Sequence, residues 1–343
     1  MSGRPDRPFS RRAGALRLAA GLLLGAGGLV AAGRPAEASL DQPLRIATGG
    51  VSGIYTALGE ALCRLVEPDL VRRRRLCSTI TTQGSLGNLR FVRAGIADIG
   101  IAQGELVRRA FQGSGAFAVD GANPDLRILF GCVVEKLHIV VAAGLPVQTA
   151  GDLRGRRIDM GSPGSGTREV AMSLLGTAGL TTGAFEALAG NPSSQRPSAF
   201  CRGDSDAFAF MAASPNAVVQ EAFASCPSRL IGPSTGALEQ LAERLPDYGR
   251  GSIPAGSYPG QTADVATVTT TAFVVADRRL AESVAERITE AAFTGLAEWR
   301  RLHLAFADLD EAALLAACPD VPYHAGALAY FARAGITPTA CGR

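Results

Sequence analysis

Apolar positions along the chain follow two alternating rhythms, short β-rich runs and longer stretches with helical spacing. Leu44-Arg45-Ile46-Ala47 reads as a first strand, stopped by Thr48-Gly49-Gly50. Ile54, Leu58, Leu62, Leu65 and Val66 then share one helical face. Cys77 to Thr82 predicts a second strand, and Ser85 is a candidate N-cap for a helix burying Leu86, Leu89 and Val92. A third strand runs from Ala97 to Ala102 and ends at Gln103-Gly104-Glu105 before another helix.

The rhythm repeats in a second unit. Leu137 to Ala142 reads as a buried strand, and Asp152-Leu153-Arg154-Gly155 as a turn before the strand Arg157 to Met160. Gly161 to Thr167 leads into a helix expected to face Ala171, Leu174, Leu175 and Ala178 inward. Asp206 to Met211 and Arg229 to Ile231 are further strands, the former closed by Ser214-Pro215-Asn216. Val265 to Val275 is a long Thr/Val-rich strand suited to run from one unit back to the other. The remainder is helical, with Val284, Ile288, Ala292, Leu296 and Trp299 on its apolar side. Such alternation predicts an α/β fold with mostly parallel sheets. Two units joined by strands near 138–143 and 266–273 describe a two-domain clamshell, with no short repeat along it. Residues 39–139 form the first part of domain 1, 140–267 domain 2, and 268–343 the return strand, the rest of domain 1 and the C-terminal helices.

The first 38 residues read as a signal peptide rather than as fold. Arg4, Arg7, Arg11, Arg12 and Arg17 precede or interrupt an apolar run of 15 residues, Leu18 to Ala32, and Ala36-Glu37-Ala38 is a cleavage signature. That run is short for a membrane span of ~20 residues, and cleavage would start the mature chain at Ser39. Ser10-Arg11-Arg12 hints at twin-arginine export, although the residues after it fit ordinary secretion better. The leader changes the charge picture, because it holds six arginines against Asp6 and Glu37. A formal net charge of +3 for the whole chain becomes about −1 for the mature part. The Arg72–Arg75 run has no basic companion stripe, so it reads as a solvated helix end and no nucleic-acid partner is expected. A mature length of 305 residues also favours two domains over one.

Seven cysteines follow the leader, and an oxidising compartment would permit disulfides. Spacing suggests Cys63 with Cys77, Cys201 with Cys226 and Cys318 with Cys341, leaving Cys132 single, although connectivity is not decided by spacing. There is no C-x-x-C and no Cys/His spacing of a zinc site, so neither a metal nor a cofactor is expected.

Candidate chemistry sits in the loops after the strands. These hold Gly50, Ser52 and Tyr55; Thr82, Gly84 and Ser85; Gln103; Ser162, Gly164, Ser165, Gly166 and Thr167; and Asn216. In open α/β sheets ligands bind beyond the carboxyl ends of strands, where helix N-termini converge. Small residues let backbone N–H groups approach a ligand, and those donors with the helix dipole favour anions. The set is nearly free of fixed charge and points to a small carboxylate held without a buried lysine. Each loop read alone is equally a cap or a tight turn.

These segments resemble the TAXI family, the extracytoplasmic solute-binding subunits of TRAP transporters. The resemblance rests on Gly49-Gly50-Val51-Ser52-Gly53-Ile54-Tyr55, Thr82 with Gly84-Ser85, Gly100-Ile101-Ala102-Gln103, Gly161 to Arg168, and Pro215-Asn216-Ala217-Val218-Val219-Gln220-Glu221. Ile253 to Gly260 and Leu302 to Ala307 add to it. It implies a type II periplasmic-binding fold, a periplasmic location and integral-membrane permease partners. The implied ligand is an amino acid such as glutamate or a carboxylate such as 2-oxoglutarate. Thr56, Gln83 and Ser214 stand where the family often has an aromatic, a Gly and a His, which leaves the ligand open.

Two other classes fit parts of the chain. An ABC-importer binding subunit would share the fold and differ in its membrane partner. Gly232-Pro233-Ser234-Thr235-Gly236 matches a hydrolase nucleophile elbow, with His303 or His324 and Asp308 or Asp310 downstream, yet a strand-to-helix turn explains it. Gly161 to Thr167 lacks the Gly-Lys pair of a phosphate loop. His138, His303 and His324 read as packed or surface histidines, and Glu135 and Lys136 as an ion pair or surface positions.

Overall fold

The chain enters its sheet through β1 (Leu44–Ala47) and crosses over by α1 (Ile54–Arg72) to β2 (Cys77–Ile80). The structure, a computed structural model, describes residues 43–51, 53–72, 76–244, 248–303, 306–307, 309–315 and 319–339. The leader, Ser52, Arg73 to Arg75, Asp308, Cys318 and Cys341 fall outside them. Next come α2 (Ser85–Arg93), β3 (Ile99–Gln103) and α3 (Gly104–Gln112), and then β4 (Leu126–Ala142), a strand of 17 residues. A second group follows with β5 (Arg157–Asp159), α4 (Gly166–Thr177), β6 (Ala187–Ala189), α5 (Arg196–Cys201) and β7 (Ala207–Ala212). It continues through α6 (Ala217–Ser225), β8 (Ser228–Ile231), α7 (Thr235–Arg244) and β9 (Gly249–Ile253). The return is β10 (Val265–Asp277), followed by α8 (Glu282–Thr294), α9 (Leu296–Leu302), α10 (Glu311–Leu314) and α11 (Ala325–Ala334).

The strands join in the order β2-β1-β3-β10-β4-β7-β5-β6, with β8 also on β4 and β9 also on β10. β1 pairs in parallel with β2 and β3, as β5 does with β6 and β7. Every pairing of β4 and β10 with another strand is antiparallel, which corrects the expectation of mostly parallel sheets. The cause is the route: β4 carries the chain out of the first group, β10 carries it back beside β4, and a neighbouring return strand must run the opposite way.

Three apolar clusters hang on these two strands. One gathers Ile46, Leu58, Leu89, Ile101 and Phe130 with Val274, Ile288, Trp299 and Phe331. The other two lie on opposite faces of the second group of strands. Ile139, Val141, Ala209 and Met211 enter one, whereas Val140, Phe208 and Phe210 enter the other. That partition is the two-residue period of a strand covered on both sides. The result is two lobes hinged by β4 and β10, a clamshell of the type II periplasmic-binding kind.

Several local expectations differ from the structure. β4 begins at Leu126, because its first half is apolar on both faces and shows no alternation. Ser85 is the first helical residue rather than the cap of α2; its hydroxyl accepts the Gln103 backbone N–H at 3.2 Å, and Gly84 takes the cap position. Ala178 lies past the end of α4 and is exposed, while Ala171, Leu174 and Leu175 are buried.

Disulfides join Cys63 to Cys77 and Cys201 to Cys226, with Cα atoms 5.4 and 5.6 Å apart, and Cys132 is a buried free thiol. The first ties α1 to the first residue of β2. Replacing Cys63 and Cys77 together by Ser should lower unfolding free energy by ~3 kcal/mol, the chain-entropy cost of a loop this short. Denaturant titration measures this, and an unchanged midpoint would contradict it.

Candidate functional site

A cavity of about 270 Å³ opens between the lobes at the carboxyl ends of the strands. Lobe one contributes the β1–α1 loop from Gly49 to Tyr55, the β2–α2 loop from Thr81 to Ser85, and Gln103 at the end of β3. Lobe two contributes Ser162 and Ser165 to Thr167 before α4, Pro192 to Ser194, Arg196, and Phe210 to Ala212 at the end of β7.

Two helix N-termini face each other across it. Gly84 caps α2 without a side-chain acceptor, so the first-turn N–H groups of that helix are left for a ligand. In α4 the Ser165 hydroxyl accepts the Arg168 N–H at 3.3 Å and leaves Gly166 and Thr167 at the mouth. A side chain on Gly84 would reach within 4.0 Å of the Gly166 nitrogen, so the lobes approach closely here. A methyl on Gly166 would collide with the Gln103 amide, so glycine at the start of α4 lets that amide sit against the helix. The Thr167 hydroxyl accepts the Met211 N–H at 3.1 Å and keeps its own hydrogen to donate.

The floor carries a carboxyl that the sequence reads as part of an ion pair or as a surface position. Glu135 on β4 is 2% exposed and lines the cavity. Its Oε2 accepts from the Tyr55 hydroxyl at 2.9 Å and from Gln103 Nε2 at 2.9 Å. Among the described residues it has no salt-bridge partner. Burial pushes its pKa up to about 7, against the pull of the Gln103 and Tyr55 hydrogen bonds. Two nearby polar atoms, Gln103 Oε1 and the hydroxyl of Thr270 opposite Glu135 on β10, are buried without partners. The β-strand period carried the missed signal: Val134 turns outward at 46% exposed and Glu135 inward. Lys136 is half-buried and forms no ion pair with Glu135, which corrects the ion-pair reading.

The opposite wall holds Arg196, 3% exposed and likewise missed. Its Nη1 donates to the Ala209 carbonyl at 3.0 Å and its Nη2 to the Asn191 carbonyl at 3.1 Å. The guanidinium lies 5.1 Å from the Phe210 ring centroid, and Nε is 3.4 Å from buried Asp159. Asp159 also accepts from the Gly161 N–H and the Asn191 amide, so the pair is fixed.

Of the candidate residues, Gly50, Tyr55, Thr82, Gly84, Ser85, Gln103, Ser162, Ser165, Gly166 and Thr167 line this cavity. Gly164 and Asn216 are off its lining; Gly164 sits in a turn at φ 81°, and the Asn216 side chain caps α6 by accepting the Val218 N–H at 2.9 Å. Ser52 lies outside the described residues. Ser234 is an exposed cap whose hydroxyl accepts the Ala237 N–H at 3.3 Å, while His324 uses Nδ1 to cap α11. His138 is buried, with Nε2 2.8 Å from the Tyr258 hydroxyl. Among the described residues no group of three or more His, Cys, Asp and Glu side chains could hold a metal ion, and no helix is long and apolar enough to cross a membrane.

The sequence profile of the NMT1-like family matches residues 46–335, which spans both lobes and the cavity. The chain belongs to the NMT1-like family. Solved structures of similar fold include PhnD1 from Prochlorococcus marinus in complex with methylphosphonate, 13% identical over 78% of this chain and 91% of that one, TM-score 0.51. A Bordetella bronchiseptica RB50 protein is 19% identical over 87% and 90%, TM-score 0.50. The periplasmic binding protein BugD is 12% identical over 78% and 87%, TM-score 0.50. This NMT1-like chain therefore has the fold of periplasmic solute-binding proteins.

Two buried groups give this member opposed acid responses. Glu135, raised from 4.5 to about 7, is bound to its proton more tightly in the folded state. Its contribution of ~3 kcal/mol is complete below pH ~4.5 and is lost as pH rises toward 7. His138 is pushed down to about 4 by burial, so its similar contribution is complete above pH ~6.5 and lost on acidification toward 4. The two nearly cancel between pH ~4.5 and 6.5. Glu135→Gln removes one of them and should make the protein lose ~2–3 kcal/mol more than the wild type on acidification across that window. Urea unfolding at several pH values measures the difference, and parallel curves would contradict the buried carboxyl.

Proposed function

We propose that this NMT1-like protein is the extracytoplasmic solute-binding subunit of a TRAP-type transporter, closing on a small organic anion. The observation that carries the reading is the convergence of the α2 and α4 N-termini on one cavity between two lobes. Unsatisfied N–H donors at two positive dipole ends form an anion site without a lysine. Arg196 adds a fixed fork in the wall. The ordered loop motifs that resemble the TAXI family support the TRAP-type partner, an integral-membrane permease. The two disulfides and the leader-like first 38 residues support a periplasmic location. Ser234 and His324 give no support to a hydrolase, since the Ser234 hydroxyl is an exposed cap of α7 and the His324 ring caps a different helix, α11.

Thermal-shift screening of the mature protein tests the ligand class. Pyruvate, succinate, 2-oxoglutarate, L-glutamate and methanesulfonate should include at least one stabiliser, worth ~2.7 kcal/mol at a hundred times its Kd. Thr167→Ala should weaken that ligand about five- to 150-fold, the effect of one lost polar contact of ~1–3 kcal/mol. A flat response to all five, with a clear response to glucose or putrescine, would contradict the anion reading.

Closure has its own contact set. Glu105 on α3 is fully buried, pairs with Arg109, and accepts from the Tyr248 hydroxyl of the other lobe. Arg109 also lies 3.9 Å from Glu169 on α4. The Glu105–Tyr248 and Arg109–Glu169 contacts form only when the lobes meet, so they bias the closed state. Tyr248→Phe should weaken ligand binding about five- to thirty-fold, the loss of ~1–2 kcal/mol from a charge-assisted hydrogen bond. It should also increase the radius of gyration of the liganded protein in small-angle scattering. Unchanged affinity and scattering would show that the bond plays no part in closure.

A further inference from the structure

The charges around the cavity do not balance for an anion. Arg196 is the one cation among the lining residues described, and Asp159 already sits at its Nε. Glu135 then remains as an acid inside a space of about 270 Å³. An ionised Glu135 and an anionic ligand would share that space, where like charges between protein walls are screened less than in bulk water. The geometry around Glu135 supplies no remedy. Facing it are Tyr55 from α1, Gln103 from β3 and Thr270 from β10, all uncharged in ordinary water; its own strand also carries Arg127, Cys132, Lys136 and His138, and of these Cys132 feels its charge. Ser85 from α2 touches the Tyr55 hydroxyl at 3.5 Å and the Gln103 backbone N–H at 3.2 Å. Lys136, next in the chain, is partly exposed and influenced by Asp264 rather than by Glu135.

We infer that an anionic ligand enters this cavity together with one proton, which Glu135 carries. The inference rests on the anion reading above and adds to it a rule for when the site binds. Oε2 already accepts two hydrogen bonds, so the proton from solvent goes to Oε1 and converts the carboxylate to a neutral acid. That acid is then a donor, able to point its O–H at the ligand where the carboxylate would repel it. Burial prepares the exchange by holding the group near neutrality, at about 7. The orphaned Gln103 Oε1 fits the same picture, because the amide has turned its nitrogen to Glu135 and left an acceptor between the lobes. Capture would strengthen as the surrounding medium acidifies, and release would be helped wherever the proton can leave.

The test is isothermal calorimetry of the mature protein at pH 6, 7, 8 and 9, in two buffers with different protonation enthalpies. The probes are pyruvate, succinate, 2-oxoglutarate, L-glutamate and methanesulfonate. For a bound probe without an ammonium group, the wild type should take up close to one proton at pH 8. Its affinity should fall about fifty-fold between pH 7 and 9, the linkage expected for a group titrating near 7. Glu135→Gln imitates the neutral acid. It should bind the same probe with no proton uptake and less than a threefold change over that range, with circular dichroism and melting confirming the fold. Binding of no probe at any pH would remove the anion reading and this inference with it. Binding with a flat pH profile and no proton uptake in the wild type would overturn the inference alone. Preference for L-glutamate over 2-oxoglutarate, lost in Glu135→Gln and again without proton uptake, would show that Glu135 receives a ligand ammonium instead, which also overturns it.

Discussion

The antiparallel pairing of β4 with β10 is the constraint on which the rest of the molecule depends. Its register runs from Leu126 opposite Asp277 to Lys136 opposite Thr269, with bulge-like shifts after Ala272 and after Val274. The first half of β4 and the last half of β10 are built into the core of one lobe; Leu137 to Val141 and Val268 belong to the other. Both lobes are thus anchored to one two-stranded ribbon. A ribbon of two strands twists and bends more readily than a wide sheet, which is what a hinge between rigid lobes requires. Irregular pairing adds local twist on the lobe-one side of the crossing.

The site lies where this ribbon passes between the lobes. Glu135 sits at that point on β4 with Thr270 across from it, and the loops that follow β1, β2, β5 and β6, with the ends of β3 and β7, arrive from both sides. Strand ends in such sheets deliver helix N-termini to the same edge, so the donors come with the topology and need no special residues beyond small ones. What the residues add is a pattern of charge. Asp159 restrains Arg196, Phe210 supports it, and Glu135 meets only neutral donors. The cleft is therefore poised by a buried carboxyl rather than by an excess of positive charge.

Much of the architecture was legible in the residues. β1 has the predicted limits, the apolar face of α1 is buried at Ile54, Leu58, Leu62 and Val66, and Cys63–Cys77 and Cys201–Cys226 pair as their spacing suggests. Loops rich in Gly, Ser and Thr announce close backbone approach, and most of those singled out lie on the cavity. The first half of β4 was hidden because a strand covered on both faces has no alternation to read. Glu135 and Arg196 were hidden for a different reason. A charged residue in sequence defaults to the surface, and only contacts distant along the chain reverse that: Tyr55 lies 80 residues from Glu135, and Ala209, whose carbonyl holds Arg196, lies 13 away. The antiparallel sense of the hinge strands likewise depends on where the chain returns, which local pattern does not encode.

The central claim is that the α2 and α4 N-termini jointly hold an anion between closed lobes. A crystal structure of the mature protein grown with the best-binding small acid tests it most directly. The account predicts density for the acid group within hydrogen-bond distance of the backbone N–H groups after Gly84 and at Gly166–Thr167, with the remainder of the ligand toward Glu135. Density for the ligand outside this cavity, or an acid group turned away from both helix starts, would contradict it.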